Sequence, residues 1–247
     1  MDNLSPTPEP SVNREEKKQK QANNDRRAAR RQKLLPLLRL GGIGIIIIAV
    51  IGGLVWVGEM QDKSVAQPSP ISGDVTAVDH TMGPETAAVT VIEYADFQCP
   101  TCATYAPVLE QLQRDYSDNL KIVYRYFPLQ TIHPNATLSA QAAEAAGIQG
   151  KFWEYHDLLF SRQSDWSNEK NPTEKFTNYA QELGLNLDQF KTDLDSKDTK
   201  NRVNVDYRSG LSAGVQGTPS FFMNGAPMEN PRGYEAFKAA IDAELQQ

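Results

Sequence analysis

Between Leu40 and Gly58 the chain runs nineteen residues, LGGIGIIIIAVIGGLVWVG, without one charge. This segment restricts the fold more than any other, because it divides the 247 residues into parts that cannot share one hydrophobic core. As a helix rising ~1.5 Å per residue it covers roughly 28 Å, close to a ~30 Å hydrocarbon core. A buried helix of a soluble protein can also be apolar all round. The four-isoleucine run, however, offers no polar face, and Trp56 sits near the outer end, where indole rings favour the membrane interface. The segment is predicted to be a single transmembrane helix over 40–58, with the lipid bilayer as its partner.

Charge gives the orientation. Residues 1–39 hold ten Lys/Arg against five Asp/Glu, whereas residues 40–247 hold 15 against 26. Arg26, Arg27, Arg30, Arg31, Lys33 and Arg39 crowd the N-terminal flank, so the positive-inside rule keeps the tail in the cytoplasm and sends the rest across. Residues 1–33 almost lack large apolar groups and are predicted to form a disordered tail within the segment 1–39. Ser64-Val65-Ala66 has the small residues of a signal cleavage site, but it lies far beyond the span and follows a long N-region; an uncleaved anchor is the stronger reading. Residues 59–78, with Pro68-Ser69-Pro70, are predicted to be a linker. If flexible, about twenty such residues reach about 25 Å. The overall charge of -6 excludes a generally basic nucleic-acid binder.

Residues 79–247 suffice for one compact domain. Ala88–Ala95 (AVTVIEYA) and Lys121–Phe127 (KIVYRYF) read as strands, with a helix between them carrying Tyr105, Leu109, Leu112 and Tyr116 on one face. Helices follow over Asn135–Ser161, broken near Gly147 and Gly150, then over Thr173–Gly184, Leu187–Leu194 and, less sharply, Asp198–Ala213. Pro219–Met223 reads as a strand entering an Asn224-Gly225 turn, and Tyr234–Leu245 as a closing amphipathic helix. The order is β-α-β, a block of helices, then β-turn-β-α.

The two cysteines of the chain stand as Cys99-Pro100-Thr101-Cys102 at a strand-to-helix junction. Two intervening residues bring both sulfurs to the first helical turn, where unpaired N–H groups and the positive end of the helix dipole favour a thiolate at Cys99. Three other readings exist. A structural disulfide across so short a loop constrains little chain. A zinc site needs two more ligands, and His80, His133 and His156 lack the spacing of a zinc motif. Two inert buried thiols do not require this spacing. Reversible redox chemistry fits best, with no metal and no organic cofactor.

VIEYADFQCPTC followed by a helix, then VYRYFPL, NATLSAQAAEAAGIQGKFWEYHDLLF and GVQGTPSFFMNG, resembles the DsbA-like thiol–disulfide oxidoreductases over about residues 79–247. The resemblance implies an α/β thioredoxin fold with a helical insertion at about 135–213, here preceded by the single transmembrane helix. It implies that Cys99 attacks and forms the mixed disulfide, that Cys102 resolves it, and that Pro219 is a cis-proline opposite them, with Thr218 lining the substrate contact. The residue-level alternative for Pro219 is a trans proline opening an edge strand. Glu93, six residues before Cys99, matches an acidic residue under the active site and would relay the proton of Cys102; an alternating strand could equally turn it to solvent. Pro100 and Thr101 would tune the redox poise, although oxidases of this type carry His where this chain has Thr101. Asp96 and Gln98 read as polar loop residues, His133 as incidental, and His156, Phe152, Trp153 and Tyr155 as packing.

The expected protein is a membrane-anchored thiol–disulfide oxidoreductase of a bacterial cell envelope, single-pass, with a cytoplasmic N-terminus and an extracytoplasmic catalytic domain. The direction expected is that of an oxidase introducing disulfides into exported proteins with cysteine thiols, discharged by a membrane redox partner of DsbB-like or VKOR-like type. A reductase or isomerase of the same fold and a non-catalytic adaptor or chaperone are the rivals.

Overall fold

A computed structural model describes residues 74–246. The predicted tail (1–39), transmembrane helix (40–58) and residues 59–73 of the linker lie outside the described residues. Among the described residues, no helix is long and apolar enough to cross a membrane.

The fold is built on β2 (Val89–Ala95). Val89 and Val91 pack to one side of it and Ile92 and Tyr94 to the other. A strand apolar on both faces needs a neighbour on each edge and cover on each face. Accordingly β2 pairs parallel with β3 (Leu120–Tyr126) and antiparallel with β4 (Ser220–Met223). The edge strands are β1 (His80–Met82) and β5 (Ala226–Met228), giving the order β1-β3-β2-β4-β5.

The parallel β2–β3 pair requires a crossover, supplied by α1 (Pro100–Asp115). Leu109 and Leu112 of α1, with Phe237 and Ile241 of α8 (Tyr234–Glu244), cover one face over Val89, Val91, Ile122 and Phe221. Six helices stand between β3 and β4: α2 (Ala136–Ile148), α3 (Phe152–Ser161), α4 (Gln163–Trp166), α5 (Thr173–Glu182), α6 (Leu187–Leu194) and α7 (Lys197–Ser212). The break between α2 and α3 falls at Gly150, which adopts φ 74°, as the glycines in the sequence indicated. Helix α2 buries mostly alanine, so neighbouring helices come close to it on several sides.

Helix α7, whose apolar positions are sparse, is held by other means. Ser196 caps its start by accepting from Thr199 N at 3.1 Å. Gly210 lies against the sheet so closely that a Cβ there would fall 2.6 Å from Phe127. Arg202 and Asp206 supply the rest through the ionic contacts described below.

Three features depart from the sequence reading. Strand β1 is only three residues long and carries no alternation, and α4 is a single turn; neither was anticipated. The third is the domain edge. Residues 74–78, assigned to the linker, belong to the fold: Arg125 donates to Asp74 O at 2.6 Å, Arg202 donates to Val78 O at 3.0 Å, and Val75 packs on the sheet.

Candidate active site

Strand β2 ends at Ala95 and the chain reaches Cys99 through Asp96, Phe97 and Gln98. These three are buried, because the loop passes beneath the inserted helices. The Asp96 carboxylate accepts from Gln98 N at 2.8 Å and Leu129 N at 2.9 Å, and pairs with His133 Nδ1 at 2.7 Å. The Gln98 amide accepts from Asn135 N and donates to Ser167 O, both at 2.7 Å. Gln163, on α4, donates to Phe97 O at 2.7 Å and Cys99 O at 3.0 Å. Asp96 and Gln98 are therefore anchors that fix the approach to Cys99, and His133 is one of their partners. The sequence signal for this was a short run of polar residues directly before the CxxC, which also describes an ordinary loop.

Cys99 occupies the N-cap of α1 with extended backbone (φ -72°, ψ 120°) and makes no side-chain cap bond. Pro100, at the start of the helix, has no N–H to satisfy. Both Pro100 and Thr101 are exposed beside the sulfur. The Cys99 thiol is brought down to about 5. The Cys102 thiol contributes most, joined by the Thr218 side chain and the backbone N–H groups of Cys102 and Thr101, and together these outweigh burial; the Thr218 hydroxyl itself has no hydrogen-bond partner among the described residues.

Cys102 is fully buried and its thiol is pushed well up by that burial, then by Cys99 and Glu93. Both cysteines are thiols in this structure.

Thr218–Pro219 is a cis peptide, and the Cys99 Sγ lies 3.5 Å from Thr218 O. Pro219 O accepts from Asn230 Nδ2 at 2.7 Å, which holds the loop from behind. The structure brings Cys99, Cys102, Thr218 and Pro219 together at the mouth of α1.

Glu93 also belongs here. It is 2% exposed on β2, on the face toward α1, and not turned to solvent. Burial, then the Cys99 charge, raises its carboxyl to about 8. Its Oε1 has no hydrogen-bond partner among the described residues, and neither has the buried Tyr124 hydroxyl, on the β3 residue that pairs with Glu93. No group of three or more His, Cys, Asp or Glu capable of holding a metal occurs among the described residues.

Two thiols of opposed acidity at a helix mouth, facing a cis-proline loop and backed by a buried acid, define a dithiol site of the thioredoxin type. The chain belongs to the thioredoxin family, whose family model (Thioredoxin) matches residues 76–243, and its fold is DsbA-like. Its fold is similar to that of oxidised BdbD from Bacillus subtilis, with TM-score 0.64 and 23% identity over 72% of this chain and 98% of that one. It is also similar to alpha-DsbA1 of Wolbachia pipientis, with TM-score 0.62 and 19% identity over 70% and 93% of the two chains. A thioredoxin-like oxidoreductase from Silicibacter pomeroyi gives TM-score 0.61 and 25% identity over 73% and 98%.

Among curated proteins the similarity is of another kind. The chain is 42% identical over 163 residues to Na(+)/H(+) antiporter NhaA 3 of Salinispora tropica, covering 66% of this chain and 24% of that protein. It is 33% identical over 188 residues to Na(+)/H(+) antiporter NhaA of Herminiimonas arsenicoxydans, covering 76% and 28%. The chain spans about a quarter of the length of these relatives. An aligned stretch of 163 residues cannot fit within residues 1–73, so most of the likeness falls on the thioredoxin domain.

Proposed function

We infer that this protein is a membrane-anchored thiol–disulfide oxidoreductase whose domain works outside the cytoplasm and forms disulfides in exported proteins. The observation that carries this reading is the Cys99–Cys102 pair at the mouth of α1, with the Cys99 sulfur 3.5 Å from the carbonyl that precedes cis Pro219; these surroundings bring the Cys99 thiol down to about 5 while burial pushes the Cys102 thiol up. A sulfur about two pKa units below neutrality stabilises the reduced pair about 100-fold at pH 7, equivalent to about 60 mV toward the oxidising side.

In the cycle, a substrate thiolate attacks Cys99 Sγ of the Cys99–Cys102 disulfide. The S–S bond breaks, Cys102 departs as a thiolate and takes up one proton. A second substrate thiolate then attacks the substrate sulfur of the mixed disulfide. Cys99 leaves as a thiolate, a good leaving group because of its acidity. Two electrons have moved to the pair, and a membrane partner of DsbB-like or VKOR-like type withdraws them. The Thr218–Pro219 loop holds the substrate backbone over Cys99, and a groove of about 450 Å³ lined by Gln98, Pro100, Ile132, His133 and Glu169 runs past the two residues that flank Cys99 in the chain.

Anchoring is supported by the uncharged run 40–58 and its basic flank, and by the similarity to proteins named as sodium–proton antiporters. The antiporter activity itself is not carried over, since the likeness covers about a quarter of those proteins.

Equilibration of the pair with glutathione buffers tests the direction: a potential as low as that of thioredoxin rejects the oxidase. Covalent trapping by Cys102→Ser in cells tests the substrates, which should be exported proteins linked through Cys99. A Cys99→Ser variant that retains full biological activity would establish the adaptor instead.

A further inference from the structure

Each turnover delivers or removes one proton at Cys102, which has no exposed surface. Glu93 is the nearby acid, yet it is itself buried and must exchange that proton with water. It lines a cavity of about 30 Å³ together with Ala106, Glu110, Trp153, His156 and Asp157. That volume holds about two water molecules. Ala106, Glu110 and Asp157 also line an outer groove of about 260 Å³ between α1 and α3, so the cavity and the groove meet at these residues. Glu93 Oε1 has no hydrogen-bond partner among the described residues, which leaves it an open acceptor inside this space.

His156, read from the sequence as packing, is 5% exposed among Phe97, Tyr124 and Phe160. Its Nδ1 lies 2.8 Å from Oδ1 of Asp157, whose side chain is 60% exposed. The adjacent acid thus engages Nδ1 on the solvent side, and Nε2 is left to receive a proton from the cavity. Glu110, 53% exposed and paired with Arg114, stands at the same mouth.

We propose that His156 and Asp157, on the inserted helix α3, form the proton exit of the dithiol site, passing one proton between Glu93 and solvent through water in the shared cavity. The proposal rests on the thiol–disulfide reading above. In the resolving direction the Cys102 S–H gives its proton to the Glu93 carboxylate, and Cys102 then attacks Cys99 Sγ and expels the bound thiolate. Glu93 hands the proton by water to His156, and imidazolium releases it beside Asp157. No electron moves in this relay. The other titratable groups facing it include Cys99, Tyr105, Tyr124 and Glu110.

The test loads Cys99 of the full chain, in detergent, with a chromogenic aryl thiol as a mixed disulfide and times its release by Cys102. His156→Gln should slow release about tenfold or more, and the lost rate should return as imidazole buffer is raised. Asp157→Asn, at an exposed position, should slow it less. Ala106→Val, which narrows the cavity without removing a titratable group, should slow release as well. The ultraviolet thiolate titration of Cys99 and the denaturation midpoint should stay those of the parent. Release at the parent rate in His156→Gln overturns the proposal, as does a slowed rate indifferent to buffer or accompanied by a shifted Cys99 titration. A parent chain that fails to release the thiol refutes the oxidoreductase reading, a separate outcome.

Discussion

Strands β2 and β3 carry two buried polar clusters back to back, and the two are built in opposite ways. On the α1 side, the register pairs Glu93 with Tyr124, and both side chains keep an oxygen without a hydrogen bond among the described residues. One residue further along, the register pairs Tyr94 with Arg125 on the opposite face. There Arg125 donates to both Asp79 oxygens at 3.0 Å and to the Tyr94 hydroxyl at 3.0 Å, while Tyr94 and Ser209 bond at 2.9 Å. Arg202 binds Asp206, whose other oxygen accepts from Tyr126 N at 3.1 Å. Of the charges on this face only Arg202 Nη2 lacks a hydrogen bond among the described residues, and it lies 3.6 Å from Asp79 Oδ1. Paired charges hold a fold in one arrangement; a group kept short of partners retains the capacity to change protonation. The same pair of strands thus serves rigidity on one face and chemistry on the other.

The comparison is most vulnerable at Asp79→Asn. Removing that carboxylate leaves the fully buried Arg125 charge uncompensated and should cost about 3–5 kcal/mol by urea denaturation, with the Cys99 titration unmoved. Burial alone would lift the Asp79 carboxyl, but Arg125 and Arg202 bring it below its ordinary value. Its contribution is therefore present above the ordinary carboxylate range and lost as pH falls through its depressed pKa. The parent should lose this increment in acid, whereas the variant has none to lose.

Glu93→Gln should act in the reverse sense. With the folded carboxyl raised to about 8, stability declines as pH climbs from the unfolded value of 4.5 toward 8. The variant should gain about 3 kcal/mol over the parent at pH 7 and nothing near pH 4, while thiol release by Cys102 slows. A loss of stability at pH 7 would break the contrast between the faces.

Gly210→Ala sharpens it further: the methyl group meets Phe127 and Tyr94 and should cost about 1–3 kcal/mol in thermal denaturation without altering disulfide exchange. The smallest effect belongs to the surface pair of Arg162 with Glu182. Arg162→Ala should cost under about 1 kcal/mol, and less at high salt.

The legible parts of the sequence were those in which chemistry and periodicity coincide. Two-faced apolar strands announced the central sheet, glycines marked the α2–α3 break, and Cys99-Pro100-Thr101-Cys102 with Thr218-Pro219 disclosed a site whose halves are far apart in the chain. Glu93 needed its facing direction, which alternation alone left undecided between α1 and solvent. Strand β1 was hidden because His80-Thr81-Met82 gains its strand character from pairing with β3. Asp96, Gln98 and Gln163 were hidden for a related reason: their partners sit in the inserted helices, and polar residues look alike in a loop whether they meet water or protein. His156 was taken for packing, which it does, but its Nδ1 also engages Asp157.

Gln163 holds the carbonyls of Phe97 and Cys99 from a single helical turn inserted more than sixty residues downstream. The reactive sulfur is thus co-owned by the insertion. Sequence drift in those helices can retune how readily the pair gives up its bond while leaving the four-residue motif untouched, so proteins with identical motifs need not share one redox temperament.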